Sequence, residues 1–244
     1  MILWILALLP VVVLTIYIYV KDKYEKEPLW MLAKAFLGGF LAVALVIPLE
    51  RFLSAFAFGG PVEQGLYSGF VVAGFSEELF KLLVIMLFIW RSKHFNEYFD
   101  GIVYATYVSL GFACLENVAY VFQANSFEVG MLTAVTRALL SVPAHFLFAV
   151  VMGYYLSKAK FDAANRLLHL MKALAYPILL HGTFDSLLMV SHNMNGTWLY
   201  PVTIVLFALF IRFDIKMWKK GVWKIKMMQE RSRLQRLEEG EENV

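Results

Sequence analysis

The chain is poor in charge, in cysteine and in recognisable repeats. Only 17% of its 244 residues are Asp, Glu, Lys or Arg, too few to cover a soluble domain of this length. A single cysteine, Cys114, excludes an internal disulfide and leaves the redox compartment open. Internal repeats and low-complexity stretches are absent, which removes support for a duplicated transporter architecture. No His-Glu-x-x-His motif occurs. The net charge of +3 is small and its basic residues gather in short loops and near the C-terminus, a pattern that fits a membrane surface and not nucleic acid.

What the chain has is apolar sequence, 60% of its residues, with a mean hydropathy of +0.65. The apolar residues come in blocks of about 17 to 25, enough to cross roughly 30 Å of hydrocarbon at about 1.5 Å per helical residue. Strand alternation is missing, so the expected fold is all-α, a polytopic transmembrane helix bundle. Seven candidate spans read as 2–20, 31–50, 67–90, 101–123, 130–157, 172–191 and 197–212. The first lacks a basic leader and a small-residue cleavage site, and reads as a retained helix. Residues 1–216 are read as one membrane domain, and 217–244 as a cytosolic amphipathic basic tail with an acidic end.

Basic loop residues set the expected orientation. Lys21, Lys23 and Lys26, then Arg91 and Lys93, then Lys158, Lys160 and Arg166, then the tail from Arg212 all fall on one side of seven spans. The positive-inside rule places that side, with the C-terminus, in the cytosol and the N-terminus outside. Asn195-Gly-Thr197 matches a glycosylation sequon, relevant only in a secretory-pathway host.

Charges at bilayer depth cost about 2.5 to 3.5 kcal/mol each on insertion scales, so their positions carry information. Glu77, Glu78 and Lys81 sit about ten residues into the third span. Glu77 and Lys81 share a face at i and i+4, while Glu78 projects about 100° away, so one lysine is not expected to serve both. The plain reading is a charge-balanced packing element; the sharper one is a carboxylate facing a wet cavity as a general base. Glu116 and Asn117 lie deep in the fourth span, and Glu116 suits either a structural pairing with Arg137 or a place in a site. Arg137, Ser141 and His145 form a polar stripe on the fifth, interrupted by Pro143. His181 and Asp185 share a face of the sixth, beside Gly182, in the pattern of a carboxylate orienting an imidazole.

Taken in order, these pieces resemble the PrsW-type intramembrane proteases. The matching segments are Asp22-Lys-Tyr-Glu-Lys-Glu-Pro28, Glu77-Glu78-x-x-Lys81, Phe99-Asp-Gly-Ile-Val-Tyr104, Gly111-Phe-Ala-Cys-Leu-Glu-Asn117, His145 and His181-x-x-x-Asp185. The resemblance implies a multi-pass endopeptidase of the bacterial plasma membrane, related to the CAAX prenyl proteases and bacteriocin-processing proteins, with two glutamates and two histidines in its site. Glu77, Glu78, His145 and His181 are then the expected catalytic residues, and Lys81, Glu116, Asn117 and Asp185 support them. Asp185 stands where the related prenyl proteases carry Asn, and either orients His181 or acts on an oxyanion. The implied partner is a single-span membrane protein in the lipid bilayer, such as an anti-sigma factor cut on its extracytoplasmic side. No cofactor is required if a glutamate activates water; His145, His181 and Glu78 are also a suitable Zn²⁺ set. A proton-coupled transporter and a non-catalytic scaffold for partner helices are the competing classes.

Overall fold

The computed structural model describes residues 1–193, 200–238 and 240, and these form helices and connecting turns without strands. The sequon at 195–197 lies outside the described residues. The helices are α1 (Ile2–Lys21), α2 (Leu29–Ser54), α3 (Pro61–Tyr67), a π-helical stretch (Ser68–Phe75), α4 (Ser76–Phe88), α5 (Asp100–Phe122), α6 (Phe127–Leu139), α7 (Ser141–Phe161), α8 (Arg166–Asn193) and α9 (Tyr200–Glu238). Among the described residues, five stretches are long and apolar enough to cross a membrane: Ile2–Lys21, Leu29–Ser54, Asp100–Phe122, Phe127–Phe161 and Arg166–Val190. The all-α membrane bundle expected from the sequence is the fold that forms.

Helix α5 is the axis. Its residues from Asp100 to Cys114 are buried without interruption, because α1, α2 and α7 pack around it. Close approach is built from glycine: a Cβ on Gly111 would run into the Phe36 carbonyl, and one on Gly39 into the α5 backbone at Val108 and Phe112. Helix α1 is the opposite case, with Trp4, Ile5, Val12, Val13, Ile16 and Val20 exposed, as a lipid-facing surface requires. The helix expected over 130–157 is interrupted at Leu140 (φ −118°, ψ −65°), which separates α6 from α7.

At the end where α1 finishes and α2 and α5 begin, the residue 22–28 and 96–104 segments close on each other. Asp22 Oδ2 accepts from the Glu27 N–H at 3.2 Å, the Tyr104 hydroxyl donates to Glu27, and Asp100 Oδ2 accepts from the N–H groups of Asn96 (2.9 Å) and Glu97 (2.6 Å). Helix α9 seals this end: Met217, Ile225 and Met228 are buried, and Ser232 Oγ accepts the Phe99 N–H at 2.9 Å. Arg236 pairs with Glu97, and with Glu25 at 2.6 Å. Residues 217–238, read from sequence as a tail, thus continue α9 and dock on the loops.

Burial raises Asp22 and Glu27 to about 7 each, with a smaller upward push from neighbouring carboxylates. A carboxylate raised in the folded state stabilises it below its unfolded value, and that stabilisation is lost as pH climbs through the folded value. The expected outcome is a Tm in detergent that falls by several degrees between about pH 5.5 and about pH 8, with the fall flattened by Asp22→Asn together with Glu27→Gln. A wild-type Tm that stays level or rises over that interval contradicts this account.

Candidate active site

The π-helical stretch delivers the two glutamates. It packs on α8 through small residues: a Cβ on Gly74 would lie 3.0 Å from the Gly182 nitrogen, and one on Gly69 would strike Ser186. Wider winding over Ser68–Phe75 shifts the register of α4, whose first turn carries Glu77 and Glu78 against the α8 face that bears His181 and Asp185.

Lys81 lies at the centre. Its ammonium donates to Glu77 Oε2 at 3.0 Å and to Glu78 Oε1 at 2.8 Å, and lies 3.2 Å from His145 Nδ1, with the Phe112 ring centroid at 4.2 Å. One lysine therefore serves both carboxylates, contrary to the expectation from their angular separation. The reason is that i+3 and i+4 both neighbour position i, and a lysine stem reaches between them. Lys81 and Glu78 are sealed from solvent.

The histidines close the cluster from two other helices. His181 Nδ1 lies 2.9 Å from Glu78 Oε1, and its Nε2 lies 3.2 Å from Asp185 Oδ2 and 4.0 Å from Glu77 Oε2. Each ring nitrogen thus faces a carboxylate oxygen. His145 Nε2 lies 2.8 Å from Glu116 Oε2, which also pairs with Arg137 at 2.8 Å. The two imidazoles stand edge to face, 5.2 Å between centroids, and Phe148 stacks on His181 at 4.7 Å. Every residue named for the site from sequence is in this one assembly, with Asn117 reaching it through Arg137 (2.9 Å).

A cavity of about 880 Å³ opens onto the cluster, in the size range of ligand pockets. Glu77, Glu116, His145, His181 and Asp185 line it, whereas Glu78 and Lys81 do not. Its wall continues to Glu50, Arg51 and Gln123, at the ends of α2 and α5 remote from the Asp22 and Glu27 cluster. The adjacent glutamates are thereby distinguished: Glu77 faces open space, and Glu78 is held behind it.

The donor set suits a metal ion by kind. One ligand atom from each of Glu77, Glu78, His145 and His181 lies within 4.8 Å of the others, each histidine is backed by a carboxylate, and Glu78 Oε2 is buried without a hydrogen-bond partner. The Lys81 ammonium already reaches three of these groups. Sequence reasoning did not find Phe148 and Phe112, because an aromatic residue in an apolar helix carries no mark that separates a site wall from ordinary core.

The model described as PrsW family intramembrane metalloprotease matches residues 27–212. The Protease PrsW of Clostridioides difficile (strain 630) is 39% identical over 210 residues, 85% of this chain and 87% of that protein. The Protease PrsW of Bacillus subtilis (strain 168) is 37% identical over 221 residues, 89% of this chain and 91% of that one. The Protease PrsW of Geobacillus kaustophilus (strain HTA426) is 39% identical over 201 residues, 82% and 84% of the two chains. No solved structure matches this chain.

Removing Lys81 leaves two buried carboxylates facing each other. Lys81→Met is expected to lower unfolding stability in detergent by about 3–5 kcal/mol, and Glu78→Gln added to Lys81→Met to restore part of it. A Lys81→Met protein as stable as wild type would remove the lysine from the centre of the assembly.

Proposed function

We infer that this chain, which belongs to the PrsW family of intramembrane metalloproteases, cuts membrane-anchored proteins with Glu77 as the group that activates the attacking water. The observation that carries this reading is the division between the adjacent glutamates: Glu77 lines the cavity, and Glu78 is sealed behind it between Lys81 and His181. A substrate segment entering the cavity presents its carbonyl between Glu77 on one wall and the histidines on the other. Glu77 takes a proton from water, the water oxygen bonds to the carbonyl carbon, and negative charge moves to the carbonyl oxygen. His181, whose Nε2 lies 4.0 Å from Glu77 Oε2, stabilises that oxyanion, and the proton held on Glu77 passes to the leaving amine as the C–N bond breaks. Asp185 orients His181. When a metal is bound, Glu78, His145 and His181 would hold it, and it would supply Lewis-acid polarisation and a more acidic water.

The favoured substrate is a single-span membrane protein, such as an anti-sigma factor, cut on its extracytoplasmic side. Two features support this: the resemblance in motifs described above, and the position of the cavity mouth at the helix ends opposite the basic loops. The positive-inside rule turns that mouth outward and the α9 end toward the cytosol.

The test is cleavage of a single-span anti-sigma-factor substrate in proteoliposomes by wild type, Glu77→Gln, Glu78→Gln and His181→Ala, each confirmed as folded, with and without chelator. Glu77→Gln is expected to lower the rate about 10²–10⁴-fold. Cleavage at the wild-type rate by folded Glu77→Gln overturns its role as base. Loss on chelation with recovery on adding Zn²⁺ assigns the metal, and chelator-resistant cleavage by metal-free protein rejects it.

A further inference from the structure

Arg137 lies on α6, across the Leu140 break from His145, and is not a member of the Glu and His cluster. Its guanidinium is nevertheless fixed from three directions. Its Nε donates to Asn117 Oδ1 at 2.9 Å, its Nη2 lies 2.8 Å from Glu116 Oε2, and its carbon centre stands 4.3 Å from the Tyr120 ring centroid. Asn117 is itself buried and anchored, its Nδ2 donating to the Ala7 carbonyl of α1 at 2.6 Å. Neutralising Glu116 needs only a nearby positive charge. An amide, a carboxylate and an aromatic face arranged about one planar guanidinium set its orientation as well.

The object of that orientation is one carboxylate oxygen. Glu116 Oε2 takes His145 Nε2 in a hydrogen bond and Arg137 Nη2 in an ion pair, each at 2.8 Å. On the far side of the ring, Nδ1 faces the Lys81 ammonium at 3.2 Å. An ammonium is a donor only, so Nδ1 accepts and Nε2 carries the hydrogen that Glu116 takes. The contacts on its two sides thus set both the plane of the ring and its tautomer, and the Nδ1 lone pair points at the carboxylate cluster. The Ser109 hydroxyl holds the His145 backbone carbonyl at 2.9 Å, so side chain and main chain are both restrained.

We propose that Arg137 is a positioning residue for the reaction: with Asn117 it fixes the Glu116 carboxylate, and through Glu116 it holds His145 in the orientation the cavity uses. This rests on the reading that His145 takes part in peptide hydrolysis. Arg137 also lines the cavity, and a residue that merely gripped substrate there would show itself in KM.

The experiment measures kcat and KM for proteoliposome cleavage of the same single-span substrate by wild type, Arg137→Gln, Arg137→Lys, Glu116→Gln and the Glu116→Gln Arg137→Gln double variant, with His145→Ala alongside. Arg137→Gln and Glu116→Gln are each expected to lower kcat about 10–100-fold with KM within about twofold of wild type. The double variant is expected to be no slower than Glu116→Gln, because Arg137 has nothing left to act on. Arg137→Lys should recover part of the loss. Independent losses that multiply in the double variant, or a change confined to KM, overturn the proposal. Where Arg137→Gln alone fails to fold because Glu116 loses its cationic partner, the double variant, which removes both charges, is compared with Glu116→Gln to the same end. Full activity in His145→Ala overturns the functional reading of His145 itself, whatever the Arg137 variants do.

Discussion

A lysine ammonium sealed inside a membrane bundle is the constraint around which the rest of this structure is arranged. Alone at bilayer depth, each of Lys81, Glu77 and Glu78 would cost about 2.5–3.5 kcal/mol to insert. Together the cost is offset only if geometry lets one ammonium reach both carboxylates and the remaining lone pairs find donors. The distances of 2.8 and 3.0 Å to the carboxylates, and the placement of His181 on Glu78, meet most of that condition, with Glu78 Oε2 left buried and without a hydrogen-bond partner. The consequence is cooperative assembly. Helix α4 brings three charges that pair among themselves and leave one carboxylate in excess, α7 and α8 each bring an imidazole, and α5 and α6 bring the pair that holds one of those imidazoles in place.

The helix packing follows from the same requirement. Glycines bring the backbones into close approach around this cluster, Gly69 and Gly74 against α8, and Gly111 against α2. The second polar cluster lies at the other ends of α2 and α5 and is built on different terms. There Asp22, Glu27, Glu97 and Asp100 are buried beneath α9, and backbone N–H groups, Tyr104 and Arg236 are their partners. The site end opens on a cavity, whereas the loop end is capped by helix.

Much of this was legible in the sequence, and the limits have physical causes. A charge in an apolar run is conspicuous, so Glu77, Glu78, Lys81, Glu116, His145, His181 and Asp185 could be named before any coordinates. Helical spacing correctly placed His181 with Asp185, and pairing with Arg137 was one of the alternatives open for Glu116. The same spacing could not separate Glu77 from Glu78, because it assumes 3.6 residues per turn and eight π-helical residues precede them. The Leu140 break was also hidden, since Pro143 marked only an interruption, and the directions of α6 and α7 depend on what they pack against. Docking of α9 rests on Ser232, Gln235 and Arg236 meeting backbone and side chains more than 130 residues away in the chain, as the Phe99 N–H to Ser232 separation of 133 shows. Local pattern contains nothing of that kind.

The difference between the adjacent glutamates shows how such a site can be both stable and reactive. A buried group with every bond satisfied is inert, and one left unsatisfied is costly. This chain separates the two demands over consecutive residues. Glu78 is locked through Oε1 between Lys81 and His181 and carries the structural load, while its Oε2 stays buried without a hydrogen-bond partner, a cost that the ion pair has to offset. Glu77 keeps a single short ionic contact, to Lys81, and has the cavity on its other side. A water or peptide entering the cavity therefore meets a carboxylate whose position is already fixed but whose hydrogen-bonding capacity is not used up, with the His181 ring 4.0 Å away. In the proposed reaction the charge is already organised by helix packing, so little rearrangement is left for the moment of reaction, which is the condition under which electrostatic groups are most effective.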